Sequence, residues 1–96
     1  EEVPSIHLKF YNFEPNPFMN VTQLRFELPC KQRVKITVYD ITGRIITTLC
    51  DRELRSGRYK ISWDGKDREG YSVPNGTYFV KIESKKLVVK KLIKIK

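Results

Sequence analysis

Apolar and polar residues alternate with a period of two along most of this chain, and this alternation strongly constrains its fold. Leucine, phenylalanine and leucine alternate with arginine and glutamate over residues 24–28, and residues 34–38 repeat the pattern with valine and isoleucine. A period of two places successive side chains on opposite faces of a β-strand, whereas an amphipathic helix needs apolar residues every three to four positions. The sequence contains no convincing helical period and therefore predicts an all-β chain.

The alternation predicts seven strands, at residues 6–10, 24–28, 34–38, 44–49, 59–63, 78–83 and 87–95. The alternation changes phase near Lys90 and Lys91, which we interpret as a β-bulge in the last strand. In that phase Ile93 and Ile95 face the core. Six side chains are expected to be buried between two sheets: Phe26, Ile36, Val38, Ile61, Trp63 and Val80.

Turn residues separate the predicted strands and favour an antiparallel arrangement. Asp40 opens a turn in which Gly43 needs a positive φ, as in a β-hairpin. Pro15 and Pro17 lack the backbone N–H of a continuous ladder, so their segment is expected to cross between sheets or to follow an edge. The pattern predicts a seven-stranded antiparallel Ig-like β-sandwich, with residues 1–96 as a single domain.

Two acidic residues, Asp64 and Asp67, lie close together with Glu69 in the segment WDGKDREG. An EF-hand loop needs oxygen ligands at alternate positions and a glutamate at its twelfth position, and this segment has neither. Lys66 and Arg68 also lower the local negative potential. We interpret the segment as a turn in which Asp64 accepts hydrogen bonds from backbone N–H groups.

The sequence offers no catalytic or cofactor motif. His7 is the only histidine, and it has no serine or acid at a spacing typical of a catalytic triad. The histidine and the cysteines lack zinc-finger spacing, and no glycine-rich phosphate loop occurs. No apolar run reaches the ~18 residues that a membrane span requires. We expect no enzyme activity, no cofactor, no metal site and no transmembrane segment.

Positive charge is concentrated at the C-terminal end. Residues 81–96 contain seven lysines and one glutamate, a net charge of +6 within a chain whose total is +8. Lysines on an edge strand keep it from pairing with other chains, which favours a monomer in isolation. Nucleic-acid binding is not expected, because these lysines lack interleaved exposed aromatic residues. Lys94 and Lys96 are predicted to face water.

Two cysteines, Cys30 and Cys50, leave a disulfide open. Hairpin register from the turn at Gly43 carries Cys50 back towards Val34, near the end of the sandwich where Cys30 lies. A bridge is then geometrically possible, provided that the two Cα atoms lie within ~7 Å of each other.

Five segments in order resemble one known family of domains. They are PNPF at residues 15–18, LRFELP at 24–29, VKITVYDITGRII at 34–46, SGRYKISWDGKDREG at 56–70 and VPNGTYFVKI at 73–82. Together they resemble the type A C-terminal sorting domain of type IX secretion cargo. They are equally similar to the Ig-like domain of the flagellar hook-capping protein. The resemblance spans roughly residues 8–96.

The resemblance to sorting domains implies a function and candidate residues. Such domains are β-sandwiches at the end of secreted proteins, recognised by secretion machinery at the outer membrane and removed by a sortase-like peptidase. The implied partners are that machinery, the peptidase and a covalently linked upstream cargo domain. The implied location, reached through the periplasm and outer membrane, is the cell surface or the exterior. The implied sorting-motif residues are Pro15, Asn16, Pro17, Gly76, Tyr78, Lys90, Lys91, Lys94 and Lys96.

Two functional hypotheses follow from the sequence. In the first, the chain is a non-catalytic targeting module that forms the C-terminal domain of a larger secreted protein. Its start at Glu1, with Met19 the only methionine, is in keeping with a processed product or an excised domain. In the second, it is a structural Ig-like spacer or adhesion module of a surface or flagellar hook-cap assembly. WDGKDREG is more typical of the hook-capping branch.

Overall fold

A computed structural model describes residues 7–95, which form two β-sheets packed face to face. The strands are β1 (Lys9–Phe10), β2 (Thr22–Leu28), β3 (Gln32–Asp40), β4 (Ile45–Leu54), β5 (Gly57–Trp63), β6 (Gly76–Glu83) and β7 (Leu87–Lys94). One sheet has the order β1-β2-β5 and the other β4-β3-β6-β7, with every neighbouring pair antiparallel. The predicted seven-stranded antiparallel sandwich is confirmed. No helix within the described range is long and apolar enough to cross a membrane.

The inward faces of the two sheets form one apolar core. Five of the six side chains predicted to be buried are buried: Phe26, Ile36, Val38, Trp63 and Val80. Ile61 is only half-buried, because β5 is the last strand of its sheet and this side chain borders an open groove between β4 and β5. Trp63 packs between two other aromatic rings, with its centroid 5.4 Å from that of Phe18 and 5.5 Å from that of Tyr78.

The hairpin of β3 and β4 differs from its predicted form. β4 extends to Leu54, well beyond the short strand expected at residues 44–49. Gly43 has φ +88° and Asp40 accepts a hydrogen bond from the backbone N–H of Thr42, so the predicted turn is confirmed. Two register shifts interrupt the ladder, between Ile36 and Thr37 and again after Val38. The bulges therefore lie in this hairpin, not in the last strand.

The predicted phase of the last strand is wrong. β7 pairs with β6 in unbroken register, so no bulge occurs at Lys90 and Lys91. Leu92 is the buried side chain of its C-terminal half, while Ile95 is 43% exposed. Ile93 lies half-buried on the outer face and Lys94 on the inner face. Lys96, also predicted to face water, lies outside the described residues.

The acidic segment after Trp63 is a turn, as predicted. Asp64 accepts a hydrogen bond from the backbone N–H of Lys66 at 3.2 Å, and Asp67 accepts from Glu69 and Tyr71 at 2.9 and 3.0 Å. Asx turns of this kind use the carboxylate to hold the backbone. Across residues 7–95, no three His, Cys, Asp or Glu side chains form a group suited to a metal ion.

The disulfide that the sequence left open is not formed in this structure, where Cys30 and Cys50 are both free thiols. The register shifts place Cys50 opposite Ile36 instead of Val34. Its thiol donates to the Val34 carbonyl oxygen at 3.6 Å, while Cys30 accepts from the side chain of Gln32. The expected register was therefore displaced by two residues, which moves Cys50 away from Cys30.

Candidate recognition surface at the last strand

The segment before β2 crosses from one sheet to the other, as its prolines predicted. Glu14 exchanges two backbone hydrogen bonds of 2.9 Å with Gln23 in the three-stranded sheet. Four residues later, Phe18 donates to the Ile93 carbonyl at 2.9 Å and accepts from the Ile95 N–H at 2.8 Å. The crossing segment (residues 14–18) therefore fastens the edge of β2 to the edge of β7.

Asn16 supplies side-chain hydrogen bonds where the flanking prolines have no N–H to offer. Its amide nitrogen donates to the Lys91 carbonyl at 2.9 Å, and its amide oxygen accepts from the Ile93 N–H at 3.0 Å. One side-chain amide thus pairs with β7 as a backbone peptide group would. The carbonyl of Pro15 in turn accepts from the buried hydroxyl of Thr22 at 2.7 Å.

The Gly-x-Tyr motif belongs to β6, which flanks β7 on the side opposite the crossing segment. Gly76 pairs with Lys94, and Tyr78 pairs with Leu92. The buried Tyr78 hydroxyl donates to the Pro74 carbonyl at 2.5 Å, the arrangement known in Ig-like sandwiches as a tyrosine corner. Burial, and secondarily the negative charge of Asp40, raise the pKa of Tyr78 above its ordinary value. The motif therefore fixes the start of β6 against β7.

The candidate lysines have different environments. Lys91 is exposed on the outer face of β7. Lys90 is half-buried, and its ammonium donates to the Asn12 side chain at 3.2 Å. Lys94 extends across the end of the sandwich and donates to the Val73 carbonyl at 3.0 Å, so it does not simply face water as predicted. Of these three, only Lys91 presents a side chain without a hydrogen bond to the rest of residues 7–95.

The structure brings the candidate residues together although they are far apart in sequence. The crossing segment and β6 flank β7 on either side, and the described lysines belong to β7 itself. Phe18 and Thr22 were not among the candidate residues that the sequence indicated. Phe18 contributes backbone hydrogen bonds to β7, and Thr22 contributes a buried hydroxyl that holds the crossing segment. A threonine among strand residues carries no signal of such a contact, whereas Phe18 was visible as the end of PNPF.

The surface carries groups that form hydrogen bonds and pair charges. It presents carbonyl and amide groups, a side-chain amide, ammonium groups and apolar side chains. These groups suit the hydrogen bonding and charge pairing of protein–protein recognition. The fold and the surface together define the class of this protein as an Ig-like β-sandwich module with a candidate recognition strand.

Comparison with known sequences identifies the family. Residues 20–87 match the family model described as the FlgD Ig-like domain, and the chain belongs to this family. The basal-body rod modification protein FlgD of Salmonella typhimurium is 44% identical over 50 residues, covering 52% of this chain and 22% of that protein. FlgD of Escherichia coli strain K12 is 35% identical over 52 residues, covering 54% of this chain and 22% of that protein. The chain thus matches about a fifth of the length of these relatives.

Three solved structures share the fold. Dimeric latent PorU from Porphyromonas gingivalis matches with a TM-score of 0.72 and 18% identity, covering 97% of this chain and 10% of PorU. FlgD from P. aeruginosa matches with a TM-score of 0.59 and 23% identity, covering 77% of this chain and 61% of that FlgD chain. PorZ, a surface component of the type-IX secretion system of P. gingivalis, matches with a TM-score of 0.54 and 23% identity. The match covers 96% of this chain and 12% of PorZ. At these identities the likenesses concern the fold.

Proposed function

We propose that this domain is a non-catalytic targeting module for type IX secretion, carried at the C-terminal end of a cargo protein. The observation that carries the proposal is the convergence of the Pro-Asn-Pro segment, the Gly-x-Tyr motif and the lysines on β7. The coverage of the structural likenesses adds support. The PorU and PorZ matches cover 97% and 96% of the chain, whereas the family model stops at residue 87, where β7 begins.

In this role the folded domain presents β7 to the secretion machinery at the outer membrane. Lys91 offers an accessible charge, while Asn16 and Phe18 hold the strand's edge in a fixed position. A strand whose position is fixed before contact loses less conformational entropy on recognition. The cargo precedes the module in the chain, reaches the cell surface or the exterior, and is released when a sortase-like peptidase removes the module.

A second candidate function is that of a structural Ig-like spacer in a surface or flagellar hook-cap assembly. The observation that favours it is the 44% identity to the Salmonella FlgD over 50 residues, which is much higher than the identity to PorU or PorZ. In this role β7 serves the stability of the sandwich, and its lysines keep an exposed edge soluble.

The two functions separate in a secretion assay with a reporter fused upstream of the domain, in a bacterium with a working type IX system. Deleting residues 92–96 is expected to trap the fusion in the periplasm, because it removes the end of β7 together with buried Leu92. Since that deletion also disturbs the fold, Lys91→Gln provides a variant with an unchanged core. It is expected to lower export.

Lys60→Gln is the matched control, because Lys60 is exposed on β5 in the other sheet. Its fusion is expected to reach the surface as the unmodified one does. Normal surface delivery of the deleted fusion would contradict the targeting function. Restored motility when this domain replaces the Ig-like domain of FlgD in Salmonella would favour the structural function.

A further inference from the structure

β7 is the last strand of the four-stranded sheet, and its backbone groups alternate between β6 and the outer edge. Phe18 bonds to the Ile93 carbonyl and the Ile95 N–H on the side away from β6. Backbone groups of an antiparallel strand repeat their direction every second residue. Leu87, Val89 and Lys91 therefore also direct their N–H and carbonyl groups towards the outer edge.

The outer edge is occupied in its C-terminal half only. Asn16 and Phe18 bind the carbonyls of Lys91 and Ile93 and the N–H groups of Ile93 and Ile95. Nothing else in residues 7–95 hydrogen-bonds to that edge, so the groups of Leu87 and Val89 lack a partner from this part of the chain. Unpaired backbone groups in extended conformation are a template for strand addition.

Apolar side chains accompany the open half of the edge. Leu87 and Val89 are 65% and 59% exposed on the outer face of β7, and Phe79 of β6 is 37% exposed on the same face. Phe79 is paired with Lys91 and therefore lies diagonal to Val89. Edges that are protected against pairing carry charges in place of such side chains. A strand added at the edge would place every second side chain over these apolar residues.

The positive charge around the open edge indicates the chemistry of a segment that could pair with it. Residues 85–94 contain five lysines and no acidic residue. Lys81 and Glu83, both in β6, form an ion pair with each other, and within the described range those five lysines have no ion-pair partner. A second copy of this chain would bring the same lysines to the interface, and like charges placed opposite each other repel.

We propose that the open edge, the N-terminal half of β7 from Leu87 to Lys91, binds an extended segment of a partner protein in which acidic and apolar residues alternate. The segment adds as a further strand whose backbone pairs with Leu87, Val89 and the Lys91 N–H. Its apolar side chains cover Leu87 and Val89 on the outer face, and its carboxylates, which alternate to the other face, lie beside Lys90. This inference goes beyond the proposed function and holds for either candidate function, because it rests on the edge alone.

The test uses the full chain and a short, terminally blocked peptide in which valine and glutamate alternate. Titration followed by amide NMR is expected to shift the resonances of Leu87, Val89 and Lys91. Val89→Pro removes an N–H that points to the edge and leaves the ladder with β6 intact, as proline is tolerated on edge strands. It is expected to weaken binding about threefold to tenfold, the contribution of one hydrogen bond.

Two control peptides keep the test decisive even if Val89→Pro disturbs the fold. A peptide with N-methyl groups on the edge-facing nitrogens is expected not to bind the unmodified chain, and a valine–lysine peptide is expected not to bind either. The proposal is overturned if the three amides do not shift, or if the lysine peptide binds equally well. Concentration-dependent shifts of the same amides without peptide would overturn it too, since they would assign the edge to a second copy.

Discussion

At Gly65 the acidic turn lies against the Lys94 side chain of the last strand, which would have to shift to admit a Cβ atom. A Cβ atom at this position would lie 2.8 Å from the Cε atom of Lys94 and 3.5 Å from the ring of Phe18. The residue also has φ +74°, a backbone conformation that favours glycine. Gly65 thus lets the turn, the crossing segment and β7 meet at one point, which explains a glycine there without any metal or phosphate.

Gly70 provides a matched control for this contact. Its φ is +91°, and a Cβ atom there would meet nothing within 4 Å. Replacing either glycine with alanine is expected to cost about 1–2 kcal/mol of unfolding free energy from the backbone conformation. Gly65→Ala is expected to cost more than Gly70→Ala because of the contact with Lys94, and urea unfolding measures the difference.

The Lys94→Ala background tests the origin of that difference. Without the Lys94 side chain, the two glycine substitutions are expected to have nearly equal effects, because contacting residues are energetically coupled. Equal costs already in the unmodified background would show that the Lys94 stem moves aside freely and that the contact contributes nothing.

At the level of elements, β7 shows where alternation fails as a guide. Alternation alone allows two phases at the Lys90–Lys91 pair, and the phase with the lysines outside is not the one that the strand adopts. The structure places Lys90 and Lys94 on the inner face beside Leu92, where each ammonium finds a polar partner at the rim. Long lysine side chains can lie along apolar surface with the charge at its margin, so charge alone does not assign a face.

The bulges of the β3–β4 hairpin were unpredictable for another reason. A bulge inserts a residue into one strand, and it can do so without a glycine or any other marker. The segment around Thr47 and Thr48 shows none, yet the shifts there changed the partner of Cys50. By contrast, the turns at Asp40 and Asp64 were predictable, because the side chains that hold them are local in sequence.

Asn16 allows a test of how the crossing segment stabilises β7. Asn16→Ala removes two hydrogen bonds to the strand, and the expected loss is about 1–2 kcal/mol of unfolding free energy. Asn20 is also exposed, and its side chain makes no hydrogen bond to the described residues. Asn20→Ala is therefore the matched control and is expected to leave stability nearly unchanged.

Hydrogen exchange locates the effect of Asn16→Ala. The Ile93 N–H loses its acceptor and is expected to exchange faster, while amides in the centre of β2 keep their protection relative to global unfolding. Unchanged exchange at Ile93 would mean that Asn16 does not hold the strand in solution.

For the whole molecule, the sequence was sufficient for the fold class, the number of strands and nearly the whole predicted core. These depend on alternation and turn chemistry, which are local. The candidate recognition surface depends on contacts between distant segments, and only the family resemblance indicated its residues. No local pattern shows that the Asn16 amide meets β7, because the partners are 75 and 77 positions apart.

The aromatic cluster around Trp63 joins the two sheets and supports the whole fold. Trp63 is 2% exposed, and it contacts Phe18 of the crossing segment and Tyr78 of β6. Trp63→Ala is expected to lower the unfolding free energy by about 3–5 kcal/mol, the usual cost of removing a large buried aromatic side chain. Denaturant unfolding followed by circular dichroism measures it, and a loss below about 1 kcal/mol would contradict the burial.

The pairing of Phe18 with β7 also determines when the domain is able to finish folding. Phe18 precedes its backbone partners, Ile93 and Ile95, by 75 and 77 positions in the sequence. Contacts between such distant positions form late, since a long loop must close first. On the ribosome, the pairing of Phe18 with β7 is therefore expected only after residue 95 has emerged.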